Sequence, residues 1–232
     1  MRTAIFLSVV LALSGTAVAA PGDGAQDVPQ RVYTYELDLD GNGAITGLAP
    51  HGFVPDATSA ALARDIRGWL FRSGGNTGDG VPTRTYLRVV VEPQAVQGGD
   101  FEVVSATTGP APTRLSQPEY PVRDQLAGGE GMVVLKLQIG ADGSVAAADV
   151  LATTDKVSRS MAGAASEAAR HWQFAPELVA GQAVPATILW PVCYVGRATS
   201  LSSCSWNGPD AQHFSSKTVL PLDSAATLVS QR

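Results

Sequence analysis

The stretch that decides the fold is VYTYELDLDGNGAITGL, residues 32–48. Apolar and polar residues alternate over 33–39, which is the period of a strand with one buried face. The strand runs into Asn42-Gly43, two residues that tolerate the positive φ angles of a tight turn, and apolar residues resume after them. The stretch therefore predicts a β-hairpin.

The same stretch matches the start of a calcium-binding EF-hand loop. Asp38, Asp40 and Asn42 stand at the first, third and fifth positions of such a loop. Its twelfth position, where an EF-hand has a bidentate glutamate, is Ala49, and the residues before the loop alternate as a strand. We therefore predict a hairpin turn and no metal site, with a weak cation site at Asp38 and Asp40 as the alternative.

A second stretch, MVVLKLQIGADGSVAAADV (residues 132–150), repeats the pattern at an offset of 100 residues, with Asp142-Gly143 at the turn. Each hairpin is followed by an amphipathic segment that predicts a helix, with Asp56 and Ser158 as N-caps. From the predicted helix onward, matching residues of the two stretches are 103 positions apart. The matching pairs are Leu62 and Ala165, Ile66 and Ala169, Trp69 and Trp172, Phe71 and Phe174, and Val81-Pro82 and Val184-Pro185.

One more strand-like segment follows each Val-Pro pair, at 83–92 and at 186–194. The order strand, strand, helix, strand therefore occurs twice. The sequence predicts an α+β fold of two tandem β-β-α-β units, each a small antiparallel sheet with one helix packed on a face. Trp69 and Trp172 are expected to pack in these two cores rather than to stack on a ligand.

The first residues have the composition of a secretory signal peptide. Arg2 is followed by an apolar run and by the small-residue cleavage site Ala17-Val18-Ala19. The sequence predicts a signal peptide at 1–19 that is cleaved rather than kept as an anchor, and export to a bacterial periplasm. The other predicted boundaries are a polar tail at 20–30, the first unit at 31–95, a linker at 96–116 in which FEVVSA could form a strand, the second unit at 117–195 and a Ser-rich tail at 196–232.

The charge balance and the cysteines limit the classes of partner and site. The net charge is −5 and no basic patch occurs, so nucleic acid is not an expected partner. Cys193 and Cys204 are the only cysteines, and an oxidising compartment favours a disulfide between them. A zinc site formed by the two cysteines with His213 is the alternative.

Sequence motifs of catalysis are absent. The chain has no nucleophile elbow, no His-Glu-x-x-His and no glycine-rich phosphate loop. Its three histidines, His51, His171 and His213, stand in three different segments. We predict no enzymatic activity and no cofactor.

Short motifs follow one another in a fixed order through the second unit. They consist of Pro118, Tyr120-Pro121, Gly131, Asp142-Gly143, Trp172-x-Phe174-x-Pro176, Gly181 and Val184-Pro185. In this order and spacing they resemble the TonB C-terminal domain family, over about residues 117–195. The first unit, at about 31–92, is similar to a degenerate copy that keeps Trp69-x-Phe71 and Val81-Pro82 but lacks the Tyr-Pro start and the later proline.

The resemblance implies a periplasmic domain that binds a short extended peptide as an added strand beside its last strand. Here that strand is 186–194, where Pro191 lacks an N–H, as is typical of an edge strand. The implied partner is a segment of an outer-membrane transporter or of another envelope protein. The candidate peptide-binding residues are Ala186, Ile188, Trp190, Val192 and Tyr194.

Energy transducers of this family have an N-terminal membrane anchor and a long Pro-rich spacer, whereas this sequence has the predicted cleavable signal and no such spacer. We therefore expect a stand-alone, non-enzymatic binding module associated with TonB-type energy transduction and outer-membrane transport. The alternative is a structural envelope protein whose sheet edges pair internally or with a second copy of the chain, which leaves no peptide site. Tyr120-Pro121 either contacts the partner or caps the sheet.

Overall fold

The computed structural model describes residues 30–74, 80–93, 101–154, 156–196 and 204–231. The predicted signal peptide, and the polar tail up to residue 29, lie outside these ranges. The helices are α1 (Asp56–Ile66), α2 (Val122–Leu126) and α3 (Arg159–Ala169), and a short 3₁₀ turn spans Pro209–Ala211. The strands are β1 (Arg31–Leu39), β2 (Ile45–Pro50), β3 (Leu70–Ser73), β4 (Thr83–Pro93), β5 (Phe101–Gly109), β6 (Ala111–Arg114), β7 (Gly131–Ile139), β8 (Val145–Thr153), β9 (Gln173–Ala175), β10 (Glu177–Val179), β11 (Gln182–Val184), β12 (Ala186–Tyr194), β13 (Ser205–Asn207), β14 (His213–Ser215), β15 (Leu220–Pro221) and β16 (Ala226–Ser230).

The first sheet is built around β1 and β4. β1 pairs antiparallel with β2 through the predicted hairpin and with β4 along its whole length. The other side of β4 carries β10 at its start and β5 over the rest. β11 continues the sheet beyond β10.

The core of the first sheet lies on the face that α1 covers. Every second residue of β1 and β4 points to this face, and Tyr35 and Leu87 are among those fully buried. α1 contributes Leu62 and Ile66, one turn apart, and Trp69 closes the core after the helix. The predicted core position of Trp69 is confirmed.

The second sheet has the strand order β8-β7-β12-β15. β7 pairs antiparallel with β8 on one side and with the whole of β12 on the other. The order β8-β7-β12 corresponds to β2-β1-β4 in the first sheet. The described chain is therefore strand-rich with few helices, in agreement with the predicted α+β class.

One face of the second sheet is covered by α3, and part of the other face is covered by β13. On one face, α3 packs Met161, Ala165 and Ala169 against the sheet, together with Trp172 and Phe174. On the other face, Trp206 of β13 packs with Met132 and Val134 of β7 and Leu189 of β12. At the other end of β7, Gln138 is exposed on this face. A further strand can add only at an edge of the sheet, where backbone N–H and C=O groups lack partners.

The two hairpin turns make the same contact with the chain that follows the helix. Gly43 has φ 81° and Gly143 has φ 77°, in the left-handed region that favours glycine. A Cβ on Gly43 would lie 2.1 Å from the carbonyl oxygen of Phe71, and one on Gly143 would lie 1.9 Å from that of Phe174. Each turn is therefore closed against the backbone of the aromatic residue in the core.

One of the two predicted N-caps is wrong. Ser158 caps α3 as expected, and its hydroxyl accepts a hydrogen bond from the N–H of Met161 at 3.2 Å. In α1, however, Pro55 occupies the N-cap and Asp56 is the first helical residue. An acidic side chain in the first turn still interacts favourably with the helix dipole there.

Two predicted boundaries need correction. The linker at 96–116 contains β5, which fills the outer side of β4, and β6, which pairs with β9. The Ser-rich tail at 196–232 contains four strands, of which β15 pairs with β12 and β16 pairs with β3. The described parts of both segments, 101–116 and 204–231, supply backbone partners to strands that would otherwise be edges.

The buried carboxylate of Glu177, in β10, joins β4 to the C-terminal segment, defined as residues 204–231. Glu177 is fully buried, and its carboxylate accepts hydrogen bonds from the hydroxyls of Thr85 at 2.5 Å and Ser224 at 2.9 Å. It also accepts one from the N–H of Ala225 at 3.0 Å. Desolvation raises the pKa of Glu177 more strongly than these hydrogen bonds lower it.

This carboxylate is expected to make stability depend on pH. The pKa of Glu177 is higher in the folded chain than its ordinary value of 4.5, which applies to the unfolded chain. Below pH 4.5, protonated Glu177 therefore makes its full contribution to the stability of the fold. This contribution is lost as the pH rises through the higher folded pKa. Urea unfolding at several pH values should show the loss in the natural chain and not in Glu177→Gln. Thr85→Ser, which keeps the donor hydroxyl, serves as the control and should behave as the natural chain.

Candidate functional site

The candidate site is the β12 edge, defined as the backbone of residues 187–196 on the side of β12 that faces away from β7. The hydrogen bonds of Thr187 show which backbone groups point to this edge. Its N–H donates to Asp223 Oδ1 at 2.5 Å and its carbonyl accepts from the N–H of Leu222 at 2.9 Å, both in the C-terminal segment. Because backbone groups of an antiparallel strand alternate between its two sides, the groups of residues 189, 191, 193 and 195 also point to this edge.

The first half of the β12 edge is occupied by the chain itself. β15 pairs with Ile188 and Leu189 through Pro221 and Leu220. With the two hydrogen bonds at Thr187, this forms a C-terminal clamp, residues 220–223, over the start of β12. A peptide cannot reach that half of the edge while the clamp is in place.

The second half of the β12 edge has no backbone partner within the described ranges. Pro191 is buried and has no N–H to donate. Cys193, Val195 and Gly196 are partly exposed. Neither Cys193 nor Val195 forms a hydrogen bond on this side with a described residue. The available stretch is therefore short, at Cys193–Gly196.

The first sheet shows how a strand fills the corresponding edge. β5 pairs antiparallel with residues 86–93 of β4, and β10 pairs with Thr83 and Arg84. At the sequence offset of 103, residues 86–93 correspond to 189–196. The edge that β5 covers in the first sheet is thus the one that is open at Cys193–Gly196 in the second.

The five side chains predicted to bind the peptide are buried. They belong to the residues of β12 whose backbone groups face β7, and four of them pack in the core beneath α3. They support the strand and cannot contact a partner through their side chains. The relative exposures are 4% for Ala186, 1% for Ile188, 8% for Trp190, 9% for Val192 and 4% for Tyr194.

Tyr120 packs against the end of β12 on the side of α3. Its ring lies edge-on to that of Tyr194, with the centroids 5.2 Å apart, and its hydroxyl donates to the carbonyl of Gly129. The hydroxyl of Tyr194 donates to the carbonyl of Met161 at 2.8 Å, and burial raises the pKa of Tyr194 to about 12. Pro121 precedes α2 as its N-cap.

The other family-motif residues hold turns and the core. Gly131 begins β7 with φ 130°, and a Cβ there would meet the hydroxyl of Thr154. Trp172 is buried and its indole N–H donates to the carbonyl of Ser116 at 2.8 Å. The remaining positions lie at strand junctions: Pro176 between β9 and β10, Val184 at the end of β11, and Pro185 between β11 and β12.

Cys193 and Cys204 form a disulfide that links the open end of β12 to the start of the C-terminal segment. Cys204 is buried beside Trp206 in the cluster that covers the face opposite α3. Because both sulfurs are bonded to each other, neither is a thiolate ligand, and the alternative of a zinc site with His213 is wrong for this structure.

The acidic residues of the first hairpin do not converge on a cation. The Asp38 carboxylate pairs with Arg84, with Nε 2.7 Å from Oδ1. The Asp40 carboxylate accepts hydrogen bonds from the N–H groups of Ala44 and Asn42, and these bonds lower the pKa of Asp40. No group of three or more potential metal ligands occurs among the residues that the structure describes.

No sequence pattern predicts the C-terminal clamp. β15 is two residues long, which is too short for a periodic pattern. Asp223, whose carboxylate binds the N–H of Thr187, stands in an irregular segment. In the sequence, only Pro191 indicated that β12 is an edge strand, and Pro191 does not indicate which segment covers that edge.

Comparison with known protein families places one segment of the chain in a known domain model. Residues 116–195 match the family model of the Gram-negative bacterial TonB protein C-terminal. The resemblance predicted for the second unit is therefore confirmed, and the match does not include residues 31–92. No curated protein and no solved structure matches the chain.

Proposed function

We propose that this protein is a non-enzymatic peptide- or protein-binding module of the bacterial envelope, exported to the periplasm, in which an extended peptide adds beside β12. The match of residues 116–195 to the TonB C-terminal family supports the envelope role. The observation that carries the proposal is that the backbone groups of Cys193 and Val195 that face away from β7 have no partner within the described chain. Free N–H and C=O groups on such an edge bind an added strand.

We also infer that residues 31–92 are a degenerate copy of the same unit, so that the chain has two tandem β-β-α-β units. Three observations support this inference: the common strand order, the contact of Gly43 and Gly143 with an aromatic residue's carbonyl, and the buried tryptophan after each helix. In the first copy β5 already takes the place of the peptide. Only the second copy keeps part of that edge open.

The partner that suits this edge is an extended segment of an outer-membrane transporter or of another envelope protein. Its affinity comes from main-chain hydrogen bonds at Cys193 and Val195, because the neighbouring side chains of β12 are buried. A longer segment must displace the clamp at residues 220–223 to reach Leu189 and Thr187. The clamp therefore competes with the peptide.

Two substitutions should change binding in opposite directions. Val195→Pro removes an edge N–H and is expected to weaken capture of periplasmic partners about tenfold, since a lost main-chain hydrogen bond and a steric block act together. Asp223→Ala removes the acceptor for the Thr187 N–H and should strengthen capture severalfold by loosening the clamp. The measurement is quantitative cross-linking of the mature chain, residues 20–232, in periplasmic extract.

Val195→Ala is the matched control, because it shortens the same side chain and keeps the N–H. It should capture partners as well as the natural chain does. If Val195→Pro captured every partner at the natural level while remaining folded by circular dichroism, an added strand at this edge would be ruled out.

The alternative function is a structural envelope protein whose edges pair within the chain. The coverage of β4 by β5 and of the start of β12 by β15 favours it. Under this alternative Asp223→Ala lowers stability and captures nothing new. Pairing with a second copy of the chain, also expected from the sequence, would appear as a change of molar mass in light scattering.

A further inference from the structure

The clamp over the start of β12 continues directly into the residues that bind the buried carboxylate of Glu177. Ser224 Oγ donates to Oε1 of Glu177 at 2.9 Å, and the N–H of Ala225 donates to Oε2 at 3.0 Å. The third donor, the hydroxyl of Thr85, belongs to β4. Two of the three hydrogen bonds of this carboxylate therefore depend on the segment that also forms the clamp.

The groups around Glu177 do not neutralise its charge. No Lys, Arg or His of the described chain forms an ion pair with it. Arg84, beside Thr85 on β4, lies on the opposite face and pairs with two carboxylates of β1. β10 and β11 have no other charged residue, and β5 contributes the hydroxyl of Thr108, 3.2 Å from Ser224 Oγ. The charged neighbour is Asp223 of the clamp, which is negative.

These surroundings favour the uncharged form of Glu177. Burial raises its pKa most strongly and the charge of Asp223 raises it further, although three hydrogen bonds lower it. The protonated carboxyl also fits the same geometry. The hydroxyl of Ser224 lies 2.7 Å from the carbonyl of Ala226 and can donate there, so that its oxygen accepts from the protonated carboxyl.

We propose that Glu177 is a pH switch for the clamp, whose ionisation favours release of residues 220–225 and whose protonation favours the closed state. Release draws Ser224 and Ala225 away from the carboxylate and admits water, which solvates the charge. The role of this switch rests on the proposed function, because an open clamp lengthens the β12 edge that a peptide can reach, back to Thr187.

The direction of the pH dependence follows from proton linkage. With the clamp closed, the pKa of Glu177 lies above its ordinary value of 4.5, which applies once water reaches the carboxylate. Opening therefore releases a proton. The closed clamp is fully favoured below pH 4.5 and is progressively lost as the pH rises through the closed-state pKa.

Backbone amide exchange in the free natural chain tests the switch without any partner. The N–H of Thr187 donates to Asp223 and the N–H of Leu222 donates to the carbonyl of Thr187, so both report on clamp closure. Their protection factors should fall about tenfold for each pH unit between the open-state and closed-state pKa of Glu177. Val192 and Tyr194, which face β7, should stay more strongly protected at every pH, which shows that the clamp opens without unfolding of the sheet.

Three variants identify the group that titrates. Glu177→Gln cannot ionise and should keep the protection of Thr187 and Leu222 constant with pH. Asp223→Asn keeps an oxygen acceptor for Thr187 but removes the negative charge beside Glu177, so the loss of protection should move to lower pH. Glu102→Gln is the matched control, because Glu102 is an exposed glutamate of β5, and it should behave as the natural chain does.

Two exchange results would overturn the switch and leave the open edge at Cys193 and Val195 unaffected. One is clamp protection that does not change with pH in the natural chain, and the other is the same pH dependence in Glu177→Gln. Capture of periplasmic partners should be stronger at neutral than at acid pH, and equal capture would contradict control of the edge by the clamp. Capture of no partner at either pH, with pH-dependent clamp protection, would refute the proposed function and leave the switch standing.

Discussion

Replacing Trp172 with alanine is expected to lower the free energy of unfolding by about 3–5 kcal/mol. The side chain is 3% exposed and its ring lies 5.4 Å from that of Trp190. Its loss leaves a cavity between α3 and the second sheet. It also removes the hydrogen bond to the carbonyl of Ser116, which ties the first residue of the family-matched segment to its core.

Urea unfolding measured by circular dichroism gives this free energy. Phe53→Ala is the control, because Phe53 is 90% exposed and an exposed aromatic contributes about 0.5 kcal/mol or less. A loss for Trp172→Ala as small as that of Phe53→Ala would show that Trp172 does not close the core.

Replacing Gly143 with alanine is expected to destabilise the fold by about 3 kcal/mol or more. Its φ of 77° is unfavourable for a residue with a Cβ, and the added atom would lie 1.9 Å from the carbonyl oxygen of Phe174. The backbone must move to relieve this overlap. That movement breaks the hydrogen bond from the N–H of Phe174 to the carbonyl of Gly143.

Gly43→Ala should cost a similar amount for the same reason, through Phe71. Gly163→Ala is the matched control, because Gly163 lies inside α3 with no atom within 4 Å of the added Cβ. Alanine there should leave stability unchanged or raise it by up to about 1 kcal/mol. If Gly143→Ala behaved like Gly163→Ala, the close contact of turn and aromatic residue would be refuted.

The sequence was sufficient for the local elements because each has a short-range signal. Alternation predicted β1 and β7, Asn42-Gly43 and Asp142-Gly143 predicted the turns, and spacing of three and four predicted α1 and α3. The buried positions of Trp69 and Trp172 followed from the same periodicity. The strands, hairpin turns and helices depend on residues that are close together in the sequence.

The features that the sequence did not reveal depend on pairing across long distances. β10 joins the first sheet through β4, and its hairpin turns at Ala180-Gly181, a weaker turn signal than Asn-Gly. β5 was expected only as an optional strand in a linker because its polar and apolar residues do not alternate cleanly. Its partner β4 determines its structure.

The candidate site was predicted at the level of the strand but not of the residues. Alternation along β12 gives two sets of residues, and which set faces β7 depends on the register of pairing, which is a tertiary property. The set chosen from the sequence faces β7. The opposite set, with Cys193, forms the edge, and the clamp residue Asp223 has no sequence signal.

Backbone amide hydrogen exchange of β12 tests the central claim most directly. In the free chain, the N–H groups of Cys193 and Val195 should exchange rapidly, whereas those of Val192 and Tyr194, which face β7, should be strongly protected. When a captured partner is bound, Cys193 and Val195 should gain protection and the other two should not change. Slow exchange of Cys193 and Val195 in the free chain, or no gain of protection on binding, would contradict an open peptide-binding edge at β12.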